Sequence, residues 1–320
     1  MNYKPIIVVA GEPNSIFMEI FLKSLQYKKY KSPIILIASY SLLKLQMEKL
    51  DYKFNINLLD FYESKIWNLN KKKINLINVN YKTTKAFEKI SSKSKKYIVK
   101  CFDLALKLLE LNISNKLING PISKRYFLEK KYLGVTEYLA EKTNQKKFAM
   151  LIFNKKLSVC PLTTHLPLKL VSKKINKKLI LEKVSLIDAF YKKSIGFKPN
   201  IAILGLNPHC ESIDNYNEDE KIIKPSVKNL IKLGFKISGP YPADTIFLKN
   251  NRKKFDVIIG MYHDQVLTPI KTLFEYDAIN ITLGLPFIRV SPDHGPNFSM
   301  LGKNLSDPKS LIEALKFLDK

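Results

Sequence analysis

Short β-branched runs alternate with longer amphipathic stretches from one end of the 320-residue chain to the other, and this alternation limits the possible folds more than any other feature. IIVVA (6–10), IILIA (34–38), KLING (116–120), FAMLIF (148–153), IAILGL (201–206), DVIIG (256–260) and AINITL (278–283) are continuous apolar runs, not alternating ones. Continuous runs belong to strands covered on both faces, the condition of a largely parallel sheet flanked by helices. The spacing predicts helices over 84–111, 134–144, 177–193, 218–233 and 308–319. In the last, Leu311, Ala314, Leu315 and Leu318 recur at helical spacing behind Asp307-Pro308. The pattern is that of an α/β chain, long enough for two domains. Neither GxGxxG nor GxxxxGK[ST] occurs, so the standard dinucleotide and P-loop fingerprints are missing.

The formal charge of +26 invites a nucleic-acid reading, but its make-up argues against one. Only Arg125, Arg252 and Arg289 are arginines, and the lysines are scattered among Asn and Ile. Base and phosphate readout lean on the planar fork of Arg, so the surplus reads as solvated surface lysine. No apolar run reaches membrane-spanning length; the longest, Ile34 to Leu43, is interrupted by Ser and Tyr. The opening MNYKPIIVVAGEP reads as a strand and turn, not a leader. Three cysteines with no CxxC pair point to a reducing compartment, and the expected location is the cytoplasm. No nucleic acid and no membrane are expected as partners.

All four histidines follow apparent strands in turn-rich contexts: TTHLPL (His165), GLNPHC (His209), MYHDQ (His263) and SPDHGPN (His294). In open α/β sheets ligands bind beyond the carboxyl ends of strands. Three imidazoles converging there from His165, His209 and His263 would suit a divalent metal. Asp264 follows His263 directly, and Lys271, Asn280 and Arg289 lie further along. Asp244, in GPYPADTIF, either caps a helix or orients a metal-bound histidine. An Arg kept at position 289 in a lysine-dominated chain points to bidentate binding of carboxylate or phosphate.

NITLGLPFIRVSPDHGPN, MYHDQVLTPIK, GLNPHC, GPYPADTIF, TTHLPL, NGPISK and the early GEP together resemble the 4-hydroxythreonine-4-phosphate dehydrogenase family of pyridoxal phosphate biosynthesis, in the same order over nearly the whole chain. The resemblance implies two α/β/α domains with an interdomain cleft, like isocitrate and isopropylmalate dehydrogenases. A first domain of 1–118 plus 270–320 would hold the nucleotide. A second, 119–269, would carry the metal ligands and the dimer interface of a homodimer with a shared active site. It implies a metal held by His165, His209 and His263, one of them reaching in from a partner subunit; zinc, cobalt or magnesium would serve, one per subunit. Substrate contacts would be Thr136, Lys271, Asn280 and Arg289, with Lys271, Asp264 and Asp244 as the catalytic candidates. NAD or NADP would bind near Asp293, His294 and Gly295. The implied reaction oxidises 4-phosphooxy-L-threonine to 2-amino-3-oxo-4-phosphooxybutanoate, which decarboxylates to 3-amino-2-oxopropyl phosphate.

The chain departs from that family at three places. Val135 in Gly134-Val135-Thr136-Glu137 replaces a substrate-binding histidine. Cys210-Glu211-Ser212-Ile213-Asp214 replaces a glycine-rich stretch, and Ser15-Ile16-Phe17 stands for Gly-Ile-Gly. The alternatives these changes raise are a dehydrogenase of threonate or erythronate 4-phosphate, and a weakened relative that only binds small phosphorylated anions.

Overall fold

The computed structural model describes residues 3–128, 131–212, 217–275, 277–292 and 295–320. Its strands are, in chain order, β1 (Ile6–Val9), β2 (Ile34–Ala38), β3 (Ile56–Leu59), β4 (Ile74–Asn78), β5 (Lys116–Asn119), β6 (Ala149–Phe153), β7 (Ser158–Pro161), β8 (Ile201–Leu204), β9 (Ile237–Tyr241), β10 (Val257–Gly260), β11 (Ile279–Leu283) and β12 (Ile288–Pro292). The chain divides into two units, Met1–Tyr138 with Pro286–Lys320, and Leu139–Leu285.

The first unit orders its strands β3-β4-β2-β1-β5-β12, and every neighbouring pair is parallel. The unbroken apolar runs have the expected cause: all four residues of β1 are buried, its two faces both covered. Helix Lys95–Glu110 packs on β1 and β2 through a stripe that includes Ile98, Cys101, Phe102, Ala105 and Leu109. Helix Lys309–Leu318 packs against β12 and buries the four leucine and alanine positions read from its spacing. The helix expected from residue 84 begins only at Lys95. Backbone groups ahead of it are held by side chains from elsewhere: Gln46 Nε2 donates to the Ala86 carbonyl at 2.9 Å, and Asn14 Oδ1 accepts from the Glu88 amide at 2.9 Å.

The second unit orders its strands β11-β6-β7-β10-β8-β9, with β11, β6 and β7 antiparallel to their neighbours in turn and the remaining pairs parallel. Its core gathers Ile152, Val159, Ala202, Leu204, Ile258, Val266 and Ile270. It starts and ends later in the chain than the expected 119–269. Phe102 of the first unit packs against Phe127 at a tilt and against Tyr138 edge-to-face, ring centroids 5.9 and 5.5 Å away, which holds the stretch after β5 to that unit. At the other end, β11 pairs along its length with β6. Among the described residues no helix is long and apolar enough to cross a membrane. All three cysteines are buried free thiols.

Candidate functional site

β7, β10 and β8 are parallel neighbours, so their carboxyl ends lie at one edge of the second unit's sheet. His165, His263 and His209 stand in the segments that leave those three ends. The His165 and His263 rings come together, with centroids 5.7 Å apart and planes inclined by 37°. His263 opens helix His263–Phe274, and its Nδ1 lies 2.7 Å from Asp264 Oδ1. In the neutral imidazole that binds a metal, a proton on Nδ1 shared with Asp264 leaves the Nε2 lone pair for the ion. His165 and His209 both adopt left-handed backbone, at φ of +52° and +55°. A non-glycine residue holds that conformation only where its surroundings over-determine it, and such residues gather at functional sites. This donor chemistry fits a divalent ion. Two of the three expected ligands are brought together; no group of three or more His, Cys, Asp or Glu that could hold an ion occurs among the described residues.

A fully buried carboxylate shapes the His209 loop. Asp219 Oδ1 accepts from the Leu206 amide at 2.8 Å, while Oδ2 accepts from the Asn207 amide at 3.1 Å and from Asn207 Nδ2 at 3.0 Å. Gly205 is required beside it: a Cβ there would sit 2.7 Å from Cys210 Sγ and 2.8 Å from Asp219 Oδ1. Burial, then the carboxylate of Asp219 and more weakly that of Asp244, raises the Cys210 thiol above its ordinary pKa. Asp244 is therefore an electrostatic neighbour of this loop. It is exposed and caps nothing, because Pro242 occupies the capping position of helix Ala243–Ile246.

In the first unit Arg289 lies on β12, 3% exposed. Its Nε donates to Asn119 Oδ1 at 2.7 Å and its Nη1 to Thr136 Oγ1 at 3.4 Å. Burial pulls the guanidinium down to about 10, still charged at neutral pH, and the Glu137 carboxylate works in the opposite direction. The expected pair Thr136 and Arg289 thus meet. Val135 is the first residue of helix Val135–Lys142 and is half-buried.

Asn280 and Lys271 belong to the second unit. Asn280 lies on β11, and its buried Oδ1 finds no hydrogen-bond partner among the described residues, an acceptor left for a ligand to satisfy. Lys271 is exposed on helix His263–Phe274, seven residues after Asp264 and so on the same face. Gly295 is exposed with open space around it, whereas Asp293 and His294 lie outside the described residues. So do Ile213 and Asp214 of the altered stretch after His209.

Sequence reasoning missed Asn119, Asp219 and Gln265. NGPISK and MYHDQ were singled out as motifs, which marks their neighbourhoods, but nothing separates Asp219 from Glu218 and Glu220 in a run of acids.

The chain matches the family described as pyridoxal phosphate biosynthetic protein PdxA over residues 29–318. It is 41% identical over 315 residues to the 4-hydroxythreonine-4-phosphate dehydrogenase of Sulfurihydrogenibium sp. (strain YO3AOP1), covering 97% of this chain and 96% of that one. The D-threonate 4-phosphate dehydrogenase of Pectobacterium atrosepticum is 34% identical over 221 residues, 68% of each chain. The crystal structure of 4-hydroxythreonine-4-phosphate dehydrogenase from Klebsiella pneumoniae aligns over 98% of both chains with a TM-score of 0.84 and 27% identity. Isocitrate dehydrogenase from Methylococcus capsulatus aligns over 97% of this chain and 83% of its own, with a TM-score of 0.50. At 9% identity that likeness is one of fold, and it bears out the α/β dehydrogenase architecture expected from the sequence.

Proposed function

Because the chain belongs to the family of the pyridoxal phosphate biosynthetic protein PdxA, we propose that it is an NAD(P)-dependent dehydrogenase that oxidises 4-phosphooxy-L-threonine to 2-amino-3-oxo-4-phosphooxybutanoate, from which carbon dioxide leaves to give 3-amino-2-oxopropyl phosphate. The observation that carries this reading is the match over nearly its whole length to a relative of that name, with the paired His165 and His263 beyond strand ends. When bound, the divalent ion supplies Lewis-acid polarisation of the substrate oxygen, and the nicotinamide dinucleotide the hydride acceptor. His165, His209 and His263 hold the ion, zinc or cobalt suiting imidazole best. Arg289 seats a phosphate or carboxylate of the substrate with Thr136 beside it, its charge kept by the Glu137 carboxylate. Asn280 offers its unsatisfied oxygen to a substrate N–H or O–H. Asp264 orients His263, and Lys271 anchors an anionic group or moves the proton of the substrate hydroxyl. Gly295, with Asp293 and His294, belongs to the nucleotide loop. The working protein is a cytoplasmic homodimer, a reading that three free buried thiols support as far as the reducing compartment goes.

The test follows nicotinamide reduction at its absorbance with 4-phosphooxy-threonine, threonate 4-phosphate and erythronate 4-phosphate, each with and without chelator. Turnover of the first, lost on chelation and restored by metal, is the expected result. No reduction with any of the three, or turnover indifferent to chelator, overturns the proposal.

A second substrate reading rests on Val135 and on the relative named for D-threonate 4-phosphate. Valine cannot form a hydrogen bond, and one lost contact is worth about 1–3 kcal/mol where it is buried. Val135→His is expected to lower KM for 4-phosphooxy-threonine by roughly tenfold, since about 1.4 kcal/mol is a factor of ten, with little change for the sugar-acid phosphates. An unchanged KM for every substrate would place residue 135 outside the working site.

A further inference from the structure

The three histidine segments are tied to one another by a single run of hydrogen bonds. Thr163, two residues before His165, donates from Oγ1 to the Met261 carbonyl at 2.7 Å and from its amide to the same oxygen at 3.3 Å. The Met261 amide, two residues before His263, donates to Gln265 Oε1 at 2.6 Å. Gln265 Nε2 then donates to the Gly205 carbonyl at 2.8 Å, at the root of the His209 loop. Both ends of the Gln265 amide are engaged, one by a donor and one by an acceptor, so its orientation is forced.

Glycines clear the way on both sides. A Cβ on Gly260 would meet Val266 Cγ1 at 2.5 Å and Gln265 Oε1 at 3.1 Å, and Gly205 has no room for one either. Met261 is fully buried, and its carbonyl and amide are taken by Thr163 and Gln265.

We propose that Gln265 is a positioning residue for the metal centre: its amide clamps the turn that opens the His263 helix to the loop that carries His209, while Met261 and Thr163 extend the clamp to His165. This rests on the reading of those three histidines as metal ligands. Metal–nitrogen distances tolerate about 0.2 Å, so each segment that bears a ligand needs to be held in place, whichever subunit's ion it serves. The left-handed backbone at His165 and His209 makes the need sharper, because strained residues stay in place only while their surroundings hold them.

The test titrates cobalt(II) into the chelator-stripped full chain against a competing chelator and records the visible spectrum of the bound ion. Gln265→Met removes both bonds, and Gln265→Glu at pH 8 keeps the acceptor for Met261 but loses the donor to Gly205. Gln265→Met is expected to weaken cobalt binding by roughly 10–100-fold, the range for residues that orient metal ligands, and to alter the spectrum. Gln265→Glu should fall between it and the parent protein. If His165→Ala, His209→Ala and His263→Ala each lose the metal while both Gln265 variants bind within twofold of the parent with its spectrum, the positioning role is overturned. Full cobalt stoichiometry in the histidine variants would instead overturn the ligand assignment, and the clamp with it. Should Gln265→Met fail to fold, Gln265→Glu alone decides: parental affinity and spectrum refute the proposal.

Discussion

Replacing Arg289 with alanine is expected to lower kcat/KM for the phosphorylated substrate by roughly 10²–10⁴-fold. Losing one partner of a desolvated charge pair costs about 3–5 kcal/mol, and about 1.4 kcal/mol is tenfold in rate. The guanidinium is 3% exposed, so any anion it meets has little water to compete with it. Its fork is set by Asn119 at Nε and Thr136 at Nη1. Arg289→Lys keeps a charge and loses the fork, and a deficit of roughly 10–100-fold is expected because lysine is a point charge without bidentate geometry. Asn119→Ala leaves the charge in place but lets the plane turn, and its loss should stay near tenfold, about the worth of one charge-assisted hydrogen bond. Steady-state kinetics on all three variants, with thermal unfolding as the control for folding, gives the order. An Arg289→Ala enzyme within threefold of the parent would remove the anion seat from the mechanism.

Glu12→Gln is expected to stabilise the protein at pH 8 and to leave it unchanged near pH 4. Glu12 is 1% exposed in the turn after β1, where Ser94 Oγ donates to its Oε2 at 3.0 Å. Burial pushes its carboxyl up to about 7, against the hydrogen bonds from Ser94 and the Asn14 amide. Burial raises the Tyr81 hydroxyl as well, and the Glu12 carboxylate, once ionised, pushes it further in the same direction. The folded protein therefore holds this proton up to about pH 7, whereas the unfolded chain releases it near 4.5. Between those values the folded state binds more protons, so stability is fully present below 4.5 and falls as pH rises through 7. The loss amounts to about 3 kcal/mol at about 1.4 kcal/mol per pH unit. Glutamine keeps an acceptor for Ser94 or the Asn14 amide and has no proton to lose. Thermal unfolding from pH 4 to 8 should show the variant's gain growing across that window. Parallel curves for the two proteins would show that Glu12 does not titrate there.

Most of the strands that can be read from the sequence have apolar runs with few polar residues, although β11 is legible in spite of Asn280 and Thr282. β3, β4, β7, β9 and β12 escaped because a polar residue or a proline interrupts each of them. In β4 the interruption is Asn75, buried and spent on neighbouring backbone: its Nδ2 donates to the carbonyls of Ile34 and Asn70, both at 3.0 Å. β12 carries Arg289 itself. In β12 the residue that breaks the apolar pattern is the same one that is read as seating an anion. The histidines were legible because their type and their place beyond strand ends sufficed. Asn119 and Gln265 were not, since each acts on a partner far along the chain: Arg289 is 170 residues from Asn119, and Gly205 is 60 residues from Gln265. Nothing local to either sequence position records such a partner.

The first unit leaves off at Tyr138 and resumes at Pro286, and this has a consequence on the ribosome. β5 is made with β1 on one side, but its other neighbour, β12, follows only after residues 139–285. At about 5–20 residues per second, translation of that interval takes roughly 7–30 s. For that time β5 is an unpaired edge, the kind that recruits strands from other chains. Its first residue is Lys116, whose Nζ in the finished fold donates to Ser32 Oγ at 3.2 Å and to the Lys320 carbonyl at 2.7 Å, burial lowering its pKa. In the nascent chain the Lys320 acceptor does not yet exist. A charged lysine on a bare edge is a gatekeeper against misassociation, so the same side chain guards β5 during synthesis and is locked in once Lys320 has been made.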